Sequence, residues 1–146
     1  MKAPFLIGRL MFGGYFLYAG INHLKNRHQM APYAESKGVP APETAVAATG
    51  IPLIIGGASI LLGLKPKYGA AAIIGFLAGV SPIMHDFWRN EDPNERQANM
   101  RSFMSNLALA GGALALMGVE EPWEASVPTK NRFGKKLRKA ARQLAA

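Results

Sequence analysis

Long apolar runs separated by short polar stretches organise this chain. Four such runs occupy more than half of its 146 residues, at 4–24, 45–64, 68–88 and 103–119. A helix needs about 20 mostly apolar residues to cross the roughly 30 Å hydrocarbon core of a bilayer. Stretches such as "IPLIIGGASILLGL" have no polar face, whereas a helix of a water-soluble bundle would carry one. The pattern therefore predicts an all-α fold, a bundle of four transmembrane helices.

The C-terminal part of the chain has a different composition from the apolar runs. Residues 1–120 are predicted to form the membrane domain, and residues 121–146 a cytoplasmic linker and tail. The tail sequence "NRFGKKLRKAARQLAA" places a stripe of apolar residues among lysines and arginines. A basic amphipathic helix is typical of a segment that lies on an anionic membrane surface. We expect residues 130–146 to bind anionic lipid or an acidic partner subunit; a solvated tail is the alternative.

The distribution of basic residues predicts the orientation in the membrane. Four crossings would place both termini on one side, together with Lys2, the turn lysines Lys65 and Lys67, and the basic tail. Cytoplasmic loops carry an excess of lysine and arginine. Both termini are therefore predicted to be cytoplasmic. The membrane that we expect is a bacterial inner (plasma) membrane. The loops at 25–44 and 89–100 would then face outward.

The composition also limits the chemistry. The chain has no cysteine, which removes thiol, disulfide and thiolate–metal chemistry from its own side chains. Any redox role must use a borrowed cofactor, and no metal site is predicted. The net charge of +8 comes largely from the tail, and no aromatic or fold motif accompanies it that would indicate nucleic-acid binding.

Polar residues inside the apolar runs are candidates for function, because such groups are costly in a membrane and usually face a partner or a cavity. Arg9 lies early in the first run. Two interpretations are open. Arg9 either extends to the nearby cytoplasmic surface, or points into the bundle and holds an anionic group, a carbonyl oxygen or a cofactor oxygen.

At the predicted outer end, three runs bring polar side chains to similar depth, in "GINHLK", "MHDFW" and "NMRSFMSN". We expect His23 or Lys25 to reach Asp86, and Asn106 to hydrogen-bond His85. This polar cluster is the predicted small-molecule pocket. The candidate binding residues are Arg9, Asn22, His23, Lys25, His85, Asp86, Trp88 and Asn106.

Three interpretations of this cluster are open. Tyr33, Phe87 and Trp88 could form an interfacial aromatic belt, with the charged groups at the lipid headgroups. His23 and His85 could be the axial ligands of a haem. The cluster could also bind the head group of a quinone or a similar amphipathic molecule, with histidine moving protons.

The motifs resemble those of a known family. "GRLMFGGYFLYAGINHLK", with its G-x-N-H-x-K ending, resembles the DoxX family of small four-helix membrane proteins, and "MHDFW" and "FMSNLALAGG" are similar to further signatures of that family. The resemblance covers roughly residues 4–118. Some DoxX-like proteins are subunits of thiosulfate:quinone oxidoreductase, and others are linked to redox-stress membrane complexes. By resemblance, polar or aromatic positions of the family fall on Arg9, Asn22, His23, Lys25, His85, Trp88 and Asn106.

Two functions follow as hypotheses. In the first, the protein is a component of a quinone-linked membrane oxidoreductase system, with its pocket near the outer surface. In the second, it is a non-catalytic accessory subunit that packs against a larger membrane complex. Gly75 and Gly79 form a G-x-x-x-G pair, which we expect to pack within the bundle, with a helix–helix contact to another chain as the alternative.

Overall fold

A computed structural model describes residues 3–123 and 125–127 of the chain. Within these residues the chain forms five α-helices and one short 3₁₀ helix, with no strand, which confirms the all-helical prediction. The elements are α1 (Ala3–Lys25), α2 (Arg27–Ser36), α3 (Pro42–Leu62), α4 (Pro66–Met84), the 3₁₀ helix (Phe87–Arg89) and α5 (Pro93–Met117).

In the described part of the chain, three helical stretches are long and apolar enough to cross a membrane. They are Ala3–Lys25, Pro42–Leu62 and Pro66–Arg89. They correspond to the first three predicted spans. The fourth predicted span, 103–119, lies mostly in α5, which does not belong to this set of three because its first turns are polar. A fourth crossing stays a prediction.

The start of α5 differs from the prediction. The sequence pattern placed an outward loop at 89–100, whereas α5 begins at Pro93. Asp92 caps this helix, because its Oδ1 atom accepts hydrogen bonds from the backbone amides of Asn94 and Glu95, both at 2.9 Å. Proline suits the first helical position, where no backbone donor is needed. Asp92 and Pro93 therefore start the helix well before its apolar part.

The predicted outer loop at 25–44 contains a short helix that the pattern did not reveal. Helix α2 (Arg27–Ser36) has Pro32 in its interior, and it buries Ala31 and Ala34. Its ten residues are too few to cross a membrane, so the pattern of membrane-length apolar runs does not predict this helix.

The third predicted span, 68–88, is not one continuous helix. Helix α4 ends at Met84 and not at residue 88. His85 has φ −125° and ψ 51°, outside the helical region, and a 3₁₀ turn follows. His85 and Asp86 are therefore not helical neighbours, and their directions do not follow helical spacing.

Helix α1 packs on α3, α3 on α4, and α4 on α5. Helix α2 packs mainly on α3. The buried core joins all four long helices and the segment after α5. Its side chains are Phe16, Leu53, Ile60, Ala70, Ile73, Leu77, Ala113 and Trp123.

Glycines allow α1 and α3 to touch along their backbones. A Cβ atom on Gly57 would lie 2.7 Å from the carbonyl oxygen of Gly13, and one on Gly20 would lie 2.7 Å from that of Gly50. Real Cβ atoms do not approach backbone so closely. Small residues at these two levels therefore set the distance between the helices.

The G-x-x-x-G pair in α4 does not act in this way. Among the described residues, no atom of a neighbouring element lies within 4 Å of a Cβ built on Gly75 or on Gly79. Helix α4 packs on α3 through another face, where Gly69 lies against Gly56 and Ile73 is fully buried. The prediction that Gly75 and Gly79 pack within the bundle is therefore wrong.

The chain turns back over the bundle after α5. Trp123 is 2% exposed and contacts the Phe5 ring edge to face, with centroids 5.3 Å apart. The backbone amide of Val127 donates to the carbonyl oxygen of Leu62 at 2.9 Å. The described part of the predicted linker thus packs against α1 and α3. The predicted amphipathic tail at 130–146 lies outside the described residues.

Candidate functional site

A cavity of about 600 Å³ lies among the helices, in the half of the bundle covered by α2. Its walls come from the second half of α1, the first half of α3, the second half of α4 and the middle of α5. Residues Met30, Tyr33 and Ala34 of α2 form its roof. Most of the lining is apolar, and includes Phe16, Val46, Leu53, Phe76, Leu77 and Leu109.

The first polar group on the cavity wall is His23, near the end of α1. Its Nδ1 atom lies 2.9 Å from Oγ1 of Thr49 in α3. The Thr49 hydroxyl donates its hydrogen to the carbonyl oxygen of Val46 at 2.8 Å. Because a hydroxyl has one hydrogen, both contacts are hydrogen bonds only when Thr49 accepts from His23 and the proton of the neutral imidazole is on Nδ1. The Phe76 ring packs against the imidazole, with centroids 5.8 Å apart.

The second polar group is His85, directly after α4. Its Nδ1 atom lies 3.5 Å from Oδ1 of Asn99, which donates through Nδ2 to Asn90 at 2.9 Å. The Tyr33 hydroxyl donates to the carbonyl oxygen of Met84 at 2.8 Å. These bonds connect the roof helix, the end of α4 and the start of α5 beside the cavity.

Asn106 of α5 is the third predicted residue on the wall. Its Nδ2 atom donates to Oγ of Ser81 at 3.0 Å, and Ser81 is 6% exposed. The predicted bond between Asn106 and His85 is wrong, because α4 ends before His85, which lies beside Asn99 instead. Asn106 also borders a smaller groove of about 220 Å³ between α4 and α5.

Asp86 has a different partner from those predicted. Its carboxylate pairs with the Lys37 ammonium group, and both side chains are mostly buried. Neither His23 nor Lys25 reaches it in this ion pair. Lys37 directly follows α2, so the short helix that the sequence pattern missed determines where this cation lies. The pair connects the end of α2 to the segment after α4.

Arg9 lies at the opposite end of α1. At 1.5 Å per residue, Arg9 and His23 are about 20 Å apart along the helix. Arg9 is 2% exposed, and its Nη2 atom donates to the carbonyl oxygens of Leu61, at 2.9 Å, and Ala125, at 3.1 Å. The guanidinium carbon lies 5.9 Å from the ring centroid of Trp123. Of the two interpretations, the inward one therefore applies: Arg9 holds carbonyl oxygens, away from the cavity.

The other predicted residues surround the cavity without lining it. Asn22 accepts from Asn26 one turn later, and Lys25 is exposed at the end of α1. Trp88 is 52% exposed and contacts the rings of Phe87 and Phe103. An exposed aromatic group of this kind fits an interfacial belt.

The structure adds polar residues that the sequence analysis did not select. Thr49 and Ser81 are hydroxyl residues within apolar runs, and each is the hydrogen-bond partner of a predicted residue. Because both lie within apolar runs, the sequence alone could have identified them as candidate polar residues of the site. Tyr33 was considered only for an aromatic belt, because its place in the cavity roof depends on α2.

The fold and the cavity define a class: a small all-helical integral membrane protein with a mostly apolar cavity among its helices. Residues 5–86 match the DoxX family over more than half of the chain, and the protein belongs to this family. The family assignment made from the sequence motifs is thereby confirmed; the match ends at residue 86, before the "FMSNLALAGG" motif. No significant match was found among curated proteins or among solved structures.

Proposed function

We propose that the protein binds a quinone or a similar amphipathic molecule in the 600 Å³ cavity, as a component of a quinone-linked membrane oxidoreductase system. The observation that carries this proposal is the placement of His23, His85 and Asn106 on one mostly apolar cavity wall. Small-molecule sites typically occupy about 300–1,000 Å³ and combine apolar walls with a few polar groups that orient the ligand. A ring with polar substituents matches this lining.

The shape of the cavity supports a ligand drawn from the membrane. Helices α1 and α5 approach each other where Phe12 lies against Gly112. Closer to α2, residues of α1 and α5 line the cavity. One of these residues, Tyr15 of α1, is 54% exposed. The wall therefore continues to the lateral surface of the bundle. A hydrocarbon tail can leave the cavity there while the polar head stays inside.

The membrane topology is part of the proposal. The apolar part of α5, from residue 103, would form the fourth crossing and place both termini in the cytoplasm of a bacterial cell, by the positive-inside rule. The cavity would then lie near the outer surface. The basic residues at 130–146 would meet the anionic inner leaflet or an acidic partner subunit.

Native mass spectrometry of the protein, gently extracted from its own membrane, tests the proposal. We expect the wild-type protein to retain a lipophilic small molecule, and His85→Ala to lose it. His28→Ala is the matched control, because His28 is an exposed histidine of α2 that does not line the cavity.

Retention of the molecule in both variants would remove His85 from the site. A wild-type protein that carries no small molecule, and binds no added quinone in lipid nanodiscs, would contradict the proposed function.

A second candidate is the non-catalytic accessory subunit. The observation that favours it is the open space beside Gly75 and Gly79, since such a glycine face admits another helix closely. In this case Gly75→Leu would release co-purifying subunits, whereas Gly8→Leu, also in open space but on α1, would not. The same native mass spectra would then show stable subunits and no small molecule.

A further inference from the structure

The polar groups on the inner cavity wall use most of their hydrogens within the protein. This matters because the remaining donors and acceptors decide which ligand the wall can bind. A neutral imidazole has one N–H donor and one acceptor nitrogen, and a phenol has one hydrogen. The hydrogen-bond partners of His23, His85 and Tyr33 therefore determine what each of them offers to the cavity.

His23 has its donor occupied. Its Nδ1–H group points to Thr49, whose own hydrogen goes to Val46. The Nε2 atom of the neutral ring is then an acceptor.

The proton of the neutral His85 ring is assigned in the same way. The Asn99 amide donates to Asn90, so its Oδ1 atom is the acceptor for Nδ1 of His85. The Nε2 atom of His85 is again the free acceptor of the neutral ring.

Tyr33 donates its hydrogen to Met84, which leaves the lone pairs of its oxygen. Asn106 offers both a donor and an acceptor. One of its Nδ2 hydrogens is donated to Ser81, while the second hydrogen and the Oδ1 atom are available to a ligand. Tyr33, Tyr15 and Gln29 are all exposed at the rim of the cavity. Among the described inner groups, which are His23, His85 and Asn106, acceptors still outnumber donors.

We infer that the cavity recognises a ligand that donates hydrogen bonds, and that it binds the reduced, dihydroxy form of a quinone in preference to the oxidised form. This inference rests on the proposed function and adds the redox state of the ligand. The two hydroxyl groups of a hydroquinone are donors, whereas the two carbonyl groups of a quinone only accept. A quinone facing His23 Nε2 and His85 Nε2 would leave these acceptors unpaired, which is costly in an apolar cavity.

The test compares three probes that share a decyl tail: a benzoquinone, its hydroquinone kept reduced under anaerobic conditions, and the dimethyl ether of that hydroquinone. Binding to the full chain in lipid nanodiscs is measured by titration calorimetry at pH 8, where an ordinary histidine is neutral. We expect the hydroquinone to bind at least about tenfold more tightly than the other two probes, as one or two additional hydrogen bonds predict.

Thr49→Val tests the origin of this preference. The substitution removes the acceptor that fixes the proton of His23 on Nδ1, so the preference for hydroquinone should fall several-fold. Thr44→Val is the matched control, because Thr44 is exposed in the same helix and does not line the cavity.

The outcomes separate the two proposals. Equal binding of quinone and hydroquinone, or tighter binding of the quinone, overturns the present inference and leaves the proposed function in place. Failure of the wild-type protein to bind either form overturns the proposed function as well. The comparison of probes on the wild-type protein does not depend on whether a variant folds.

Discussion

The Nη2 atom of Arg9 donates a 2.9 Å hydrogen bond to the carbonyl oxygen of Leu61, so a nearly fully buried cation joins the start of α1 to the end of α3. The same atom donates to Ala125 in the segment that returns over the bundle. The last carbonyl groups of a helix have no partner within it, which makes them good acceptors for a cation. Arg9 therefore acts on the fold at the end remote from the cavity.

Arg9→Met should lower the free energy of unfolding by about 2–4 kcal/mol, because it keeps much of the side-chain length but removes charged hydrogen bonds to buried carbonyls. Thermal unfolding in detergent measures the change. Arg96→Met, at an exposed position of α5, should have little effect. Equal losses in the two variants would show that Arg9 has no special role in stability.

The glycine contacts between α1 and α3 predict a contrast between two Gly→Ala variants. Gly57→Ala should destabilise the protein strongly, by about 3 kcal/mol or more, since its Cβ would meet backbone that cannot move without separating the helices. Gly75→Ala has open space and should be neutral or stabilising by up to about 1 kcal/mol through helix propensity. Unfolding in detergent distinguishes them, and a mild effect of Gly57→Ala would contradict the close packing.

The Lys37–Asp86 ion pair should hold α2 over the cavity. Lys37→Ala and Asp86→Ala should each speed hydrogen exchange of the α2 amides, and the double variant should add little. The exposed pair of His28 and Glu43 is the control, because well-solvated ion pairs contribute little. If all four single Ala variants change exchange equally, the ion pair is not what fixes α2.

Cysteine labelling tests the fourth crossing. The chain has no cysteine of its own, so each introduced residue is the sole reactive thiol. A membrane-impermeant maleimide applied from one side should label Lys67→Cys and Glu120→Cys together, and Asn94→Cys from the opposite side. Labelling of Glu120→Cys from the same side as Asn94→Cys would show that α5 does not cross.

The sequence alone selected three residues that line the candidate site. His23, His85 and Asn106 were selected because polar groups in apolar runs are costly, and all three line the cavity. Their partners were predicted less well. Pairing depends on where helices end and how they rotate, and the early end of α4 at Met84 moved His85 towards Asn99.

What the sequence determined by itself is the class of molecule: membrane-length apolar runs without a polar face leave a helical membrane bundle as the stable arrangement, and the motifs indicate the family. Only the tertiary structure decided the rest. Whether a glycine face packs inside, as at Gly57, or outside, as at Gly75, depends on the rotation of each helix against its neighbours. The cavity is likewise a space between five helices, and the local pattern of one helix carries no information about the space that it leaves beside the others.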